Sequence, residues 1–215
     1  MIAKLATLSL KERNSNRLLL IGSGGHARAL IDIIESASDW RIVGLVGQST
    51  EIGAKIFGYP VLGSDENLDH LRGFADGAIL AMGHLGSATK RQDLALRLQA
   101  LDFITPVIVS AHGFVSRHAS LGPGTTVGHG AIVNAGASVG SHCIINSKAL
   151  IEHDAIIGDH CHISTGVLIN GGVSIGAASF IGSGSIVREG LVLPSETIVG
   201  AGKRVMGWPL SKESK

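Results

Sequence analysis

From Val109 to Val205 every sixth residue is a branched aliphatic. The series runs Val109, Val115, Leu121, Val127, Val133, Val139, Ile145, Ile151, Ile157, Ile163, Ile169, Ile175, Ile181, Val187, Leu193, Val199, Val205. An amphipathic helix repeats its apolar positions about every 3.6 residues and a strand about every 2, so neither accounts for this period. A period of six is the mark of a parallel β-helix, in which each hexad forms one short flat side of a coil. Four places after these aliphatics stand mostly small residues: Thr125, Ala131, Ala137, Cys143, Ala149, Ala155, Cys161, Val167, Val173, Ser179, Ser185. Large and small inward positions therefore alternate, which lets coils stack on a narrow core. The pattern predicts a β-helix over 106–206 and indexes which polar residues point outward.

Ahead of it, 17–105 keeps a different rhythm. Leu18-Leu19-Leu20-Ile21 reads as a buried strand, followed by the turn Gly22-Ser23-Gly24-Gly25-His26-Ala27 and apolar residues at helical spacing through Ile34. Arg41–Val46 and Ala78–Met82 read as further strands, and Gln92–Leu101 as a helix with Leu94, Leu98 and Leu101 on one face. Strand, glycine turn, helix, strand is a βαβ unit, which predicts a small Rossmann-like parallel α/β domain. Residues 1–16 read as a leader without a signal-peptide core, and 207–215 as a tail that caps the open end of the coil.

Composition narrows the function. A net charge of +1 without any dense Lys/Arg stretch argues against a nucleic-acid surface. No apolar run approaches the roughly 20 residues that cross a bilayer, and a cytoplasmic protein is expected. Cys143 and Cys161 both fall on the small inward position, 18 residues apart, so buried thiols are expected ahead of a disulfide. In His160-Cys161-His162 the cysteine points inward while its neighbours point out; the three cannot converge, and no metal is expected.

Gly22, Gly24 and Ala27 match a loose dinucleotide fingerprint, G-x-G-x-x-A, whose turn offers amides to a phosphate at a helix N-terminus. The acidic residue that would hold a ribose after the second strand is missing, since Gly47 and Gln48 stand there. That disfavours a dinucleotide. A phosphate or nucleotide-sugar site and a purely structural turn both remain open.

Hexads such as Val139-Gly140-Ser141-His142-Cys143-Ile144 and Ile157-Gly158-Asp159-His160-Cys161-His162 resemble the hexapeptide-repeat acyltransferases. In that family three hexads make one turn of a left-handed β-helix, usually assembled as a trimer. The order of a Gly-Ser-Gly-Gly-His turn, the stretch Tyr59-Pro60-Val61-Leu62-Gly63 and then the repeat is similar to bacterial sugar acetyltransferases of surface-glycan biosynthesis. One branch N-acetylates UDP-linked 4-amino-4,6-dideoxy sugars, and its front domain holds the nucleotide. Another O-acetylates sialic acids, and the segment 163–183 is more like that branch.

The resemblance implies acetyl-CoA as co-substrate, a sugar or nucleotide-sugar acceptor, and a homotrimer with shared sites. It places the general base on His153 and its acidic companion on Asp154, where many relatives have Glu. It places sugar contacts on Asn146, and on Gly22, Gly24, Gly25 and His26 of the front turn. It places His162 near the acetyl carbonyl and Gly171 against the coenzyme. Lys203, with Arg204 and Arg188, is the candidate for the coenzyme's phosphates. The residues themselves point the same way for the base: Ile151-Glu152-His153-Asp154 is the only hexad whose outward positions flank an imidazole with two carboxylates. The small Ala135 and Gly171, one coil to either side, would leave a groove beside the ring. A flat β-helix with no loop to cover a substrate needs a cleft between subunits, and outward Ile132, Ile144 and Leu168 suit such an interface. A non-catalytic scaffold or sugar-binding module is the alternative of another class.

Overall fold

The computed structural model describes residues 16–209; residues 1–15 of the leader and 210–215 of the tail lie outside them. Five strands build the front sheet: β1 (Arg17–Ile21), β2 (Arg41–Gly47), β3 (Lys55–Ile56), β4 (Tyr59–Ser64) and β5 (Gly77–Leu80). Their order is β3-β4-β2-β1-β5, parallel except for the β3–β4 pair. Leu18, Leu19, Leu20 and Ile21 are all fully buried, as a run covered on both faces must be. Helix α1 (Gly25–Ala37) buries Leu30, Ile31, Ile33 and Ile34 on one face of the sheet. On the other face Leu94, Ala95 and Leu98 of α3 (Thr89–Ala100) pack with Leu68 and Leu71 of the one-turn α2 (Leu68–Leu71). The chain steps from β1 to β2 and β4 on one side, then crosses back to β5 on the other. The strands' carboxyl ends between β1 and β5 are therefore a topological switch point, where such sheets bind ligands.

The hexads fold as their spacing predicts, into a left-handed parallel β-helix. Two-residue strands pair with those 18 residues on, as Ile132 with Leu150 and Leu150 with Leu168, forming three faces. Face one carries Ile108–Val109, Thr126–Val127, Ile144–Ile145, His162–Ile163, Phe180–Ile181 and Ile198–Val199. Face two runs from Phe114–Val115 to Arg204–Val205, and face three from Ser120–Leu121 to Val192–Leu193. The aliphatics and the alternate small residues fill one continuous core. Trp208 of the tail packs against its end. Cys143 and Cys161 are buried free thiols, their Sγ–H groups donating to the carbonyls of Gly158 (3.1 Å) and Gly176 (3.2 Å).

The front domain lies on face one. The outward residues of its first five coils, Ile108, Thr126, Ile144, His162 and Phe180, are buried, while Ile198 beyond them stays exposed. This corrects the expectation for Ile144, which is 1% exposed because its own chain covers it. Ile132, on face two, stays 38% exposed.

Candidate active site

A cavity of about 650 Å³ opens at the switch point. Its floor is the turn after β1, with Gly22, Ser23, Gly24, Gly25 and His26; Gly47 and Gln48 come from the end of β2, Ser64 and Asp65 from the end of β4, and Met82 and Gly83 from the segment that follows β5. The three glycines divide by role. Gly22 has φ +129°, and a Cβ there would stand 2.8 Å from the Ala81 carbonyl oxygen, so it is needed for the turn itself. A Cβ on Gly24 or Gly25 would meet nothing within 4 Å. Those two present bare backbone to the cavity at the start of α1, where the helix dipole favours an anion. Lys90 lines the same cavity and reaches Asp65 at 3.2 Å. Neither residue was marked by the sequence pattern; the only signal for Asp65 was its place just past a strand's carboxyl end.

A carboxylate does stand beside the end of β2, one turn later than the fingerprint places it. Glu51 Oε2 accepts the Ser23 hydroxyl at 2.6 Å and the Gln48 N–H at 2.8 Å, which holds its carboxyl below the usual range. A Cβ on Gly47 would fall 2.8 Å from that oxygen and 2.9 Å from Ser23 Oγ. The glycine that looked like a loss is therefore what admits Glu51, and the carboxylate braces the two loops that frame the cavity.

His26 lines the cavity, and burial together with the Arg91 charge pushes it down to about 3. It is neutral at any working pH.

His153 stands apart from this cavity, at the corner between faces two and three. Its side chain is 67% exposed, and Nδ1 lies 2.9 Å from Asp154 Oδ2. Since the carboxylate can only accept, Nδ1 carries the proton and Nε2 presents its lone pair outward. The hydrogen bond, then the Asp154 and Glu152 charges, raise the imidazole above its ordinary value. Glu152 Oε2 accepts the His153 N–H at 3.2 Å and is itself held by Asn134 Nδ2 at 2.9 Å. Asp154 is left-handed at φ 60° in a column where the neighbouring coils place Gly136 and Gly172. The same turn position is left-handed at His142, Lys148, His160, Ala178 and Glu196, so this backbone accommodates Asp154 as it does other side chains.

Gly171 lies directly beneath the ring: a Cβ there would come within 2.7 Å of His153 Cε1 and Nε2. The groove expected on that side is filled by the imidazole itself, so Gly171 gives the ring room.

Asn146 and His162 meet at face one. Nδ2 of Asn146 is 3.4 Å from His162 Nε2, and His162 Nδ1 donates to the His84 carbonyl at 2.8 Å. The ring is 6% exposed, with burial as the main cause of its lowered pKa. Lys203 takes the inward column of Val167 and Ser185 on the last coil, half-buried, its N–H on Ser185 Oγ at 3.1 Å. Arg204 projects outward and exposed. One chain thus brings the front turn together and brings Asn146 to His162, but leaves His153 on a different corner of the prism. His142 and His160 stack at 5.2 Å with an 11° tilt, as their 18-residue spacing predicts. His129 bridges the domains between Asp32 Oδ2 (2.8 Å) and Ser110 Oγ (2.6 Å). Among the described residues no group of three or more His, Cys, Asp or Glu is placed to hold a metal, and no helix is long and apolar enough to cross a membrane.

Residues 17–97 match the family model described as the PglD N-terminal domain. The structure superposes on PerB from Caulobacter crescentus, solved with CoA and GDP-perosamine, with a TM-score of 0.81 and 30% identity over 94% of this chain and 93% of that one. The acetyltransferase domain of PglB from Neisseria gonorrhoeae, solved with acetyl coenzyme A, gives 0.81 and 27% over 90% and 92%. WeeI from Acinetobacter baumannii shares the fold at 0.67 and 18%, over 90% of this chain and 98% of that one. No curated protein sequence matches. The chain belongs to the hexapeptide-repeat acyltransferases related to the nucleotide-sugar N-acetyltransferases, and it is an enzyme.

Proposed function

We propose that the protein transfers the acetyl group of acetyl-CoA to the amine of a nucleoside-diphosphate-linked 4-amino-4,6-dideoxy sugar, with His153 as general base. The observation that carries this reading is the formed cavity at the switch point, where the Gly24 and Gly25 backbone and the Lys90 ammonium face one space. That set suits a diphosphate, which a free nonulosonic acid lacks, and so favours N-acetylation over O-acetylation of a sialic acid. The resemblance of the front turn points to UDP as the carrier, and the likeness to PerB points to GDP.

The chemistry follows from the His153 tautomer. Nε2 takes a proton from the amine as its nitrogen attacks the thioester carbon. The tetrahedral oxyanion collapses, the C–S bond breaks, and the imidazolium returns the proton to the leaving thiolate as free coenzyme A. Asp154 fixes the ring and stabilises its charged form. Because His153 lies on a different corner from the cavity, base and acceptor meet when the corner of one subunit abuts the cavity of its neighbour, in a homotrimer. Asn146 is the sugar contact on the β-helix, His162 the group near the acetyl carbonyl, and Lys203 with Arg204 the cationic end for coenzyme phosphates. The test is thiol release from acetyl-CoA with UDP- and GDP-linked 4-amino sugars, beside calorimetric titration with UDP and GDP. Release with one of them and binding of the matching nucleotide is expected; neither release nor nucleotide binding would sink the reading.

A further inference from the structure

Arg91 is the most heavily buried charge described in the chain, 2% exposed, in the first turn of α3, where the helix dipole disfavours a cation. Burial lowers it to about 10, which leaves it charged at neutral pH. Among the described residues no carboxylate pairs with it. Instead Nη1 donates to the Met82 carbonyl and Nη2 to the His142 carbonyl at 2.6 Å, while Nε has no partner. Both ring nitrogens of His84 and Nε2 of His26 are likewise buried without partners. Burying an unpaired charge and several unsatisfied polar atoms in one place is strongly unfavourable. Such a departure is kept where position matters more than stability.

What Arg91 holds is specific. Met82 and Gly83, which follow β5, are a wall of the acceptor cavity, and His142 belongs to the β-helix. Two residues beyond Met82, the His84 carbonyl accepts from His162 Nδ1 on the next coil, and a Cβ on Gly83 would stand 3.3 Å from His162 Cε1. The segment 82–84 is therefore gripped by Arg91 and by His162, and each tie runs to the coils. The opposite wall, at β2, is braced within the front domain by Glu51.

We infer that Arg91 is a positioning residue: it fixes the Met82–Gly83 wall of the acceptor cavity against its own β-helix, and so, through the subunit contact, against the neighbouring subunit's base, without holding the nucleotide. The inference rests on the acetyltransferase reading above. A misplacement of about 1 Å at the reacting atoms costs on the order of 10²-fold in rate, whereas nucleotide affinity depends on the β1 turn and the β2 wall. Arg91→Met should lower kcat on the order of 10- to 100-fold at saturating acceptor. The nucleotide's Kd by calorimetry should stay within about 3-fold, and Arg91→Lys, which keeps the charge and can reach one carbonyl, should recover part of kcat. A purely structural role would instead lower the melting temperature while kcat per folded enzyme and Kd held. Unchanged kcat in Arg91→Met, or parallel loss of kcat and nucleotide affinity, overturns the inference. If Arg91→Met does not fold, Arg91→Lys decides: reduced kcat with wild-type Kd supports it, and wild-type kcat refutes it. Wild-type enzyme that releases no thiol sinks the acetyltransferase reading, and this one with it; a wild type that does while the variants behave identically sinks this one alone.

Discussion

The imidazole of His153 projects beyond the coil with Nδ1 tied to Asp154 and Nε2 free, so its removal should touch chemistry and little else. His153→Ala is expected to lower kcat by about 10² to 10⁴, with the melting temperature nearly unchanged because the ring contributes nothing to the core. Wild-type turnover in that variant would exclude it as the base. The Asp154 hydrogen bond raises the histidine above its ordinary 6.5. Only the neutral ring can take a proton, so the acid limb of kcat/KM should have its midpoint above that value. Asp154→Asn removes the charge yet tolerates the left-handed backbone; the limb should move down toward 6.5 as kcat falls. A limb that stays where it was would show that another group titrates there.

The turn after β1 does two jobs that separate by residue. Gly22 meets the β5 backbone, whereas Gly24 and Gly25 meet only open space. Gly24→Val should therefore fold normally and bind nucleotide at least about ten-fold more weakly, because its side chain occupies the place where a phosphate approaches the amides. Gly22→Ala should lose more than about 1 kcal/mol in denaturant melts, since φ +129° is closed to a Cβ. The reverse ranking, with Gly24→Val unstable and Gly22→Ala silent, would contradict this division.

For the molecule as a whole, face two is where the assembly should form. Phe114 is 56% and Ile132 38% exposed, and Leu150, Leu168 and Ile186 follow them in register on the same face. A continuous apolar row on a flat sheet calls for a partner, and three prisms meeting by such faces give a closed trimer. Light scattering should return three times the 22.2 kDa chain mass, and Leu168→Asp should reduce it to the monomer while abolishing transfer; a monomeric wild type that still transfers acetyl would refute the shared site. The domain junction sets a second global property. His84 and His142 are pushed down to about 4, first by burial and then by neighbouring charges that include Arg91. Unfolded, they titrate near 6.5, so between 6.5 and 4 the unfolded chain binds more protons than the folded one. Their stabilising effect is complete above 6.5 and declines as pH falls toward 4. Thermal melts across that window should show a progressive loss that His142→Asn reduces; a melting temperature flat from pH 7 to 4.5 would show that these rings are not buried neutral.

The sequence by itself determined the coil, because a period of six suits short flat sides that stack in register; that three such sides close one turn is what the family resemblance implied and the 18-residue strand pairing bears out. The same spacing made the His142–His160 stack, the buried thiols and the Glu152-His153-Asp154 edge legible before any coordinates. Only the tertiary structure decided which face the front domain covers. That choice buried Ile144, drew Asn146 and His162 to the junction, and separated them from His153. It also decided the parts of the cavity that come from distant strand ends: Glu51 reaching across Gly47 to Ser23, Lys90 against Asp65, and Arg91 between two carbonyls 60 residues apart in the chain, Met82 and His142. No local period carries such contacts. They arise because parallel strands bring their carboxyl ends to one edge, and because one flat face of a prism must be covered.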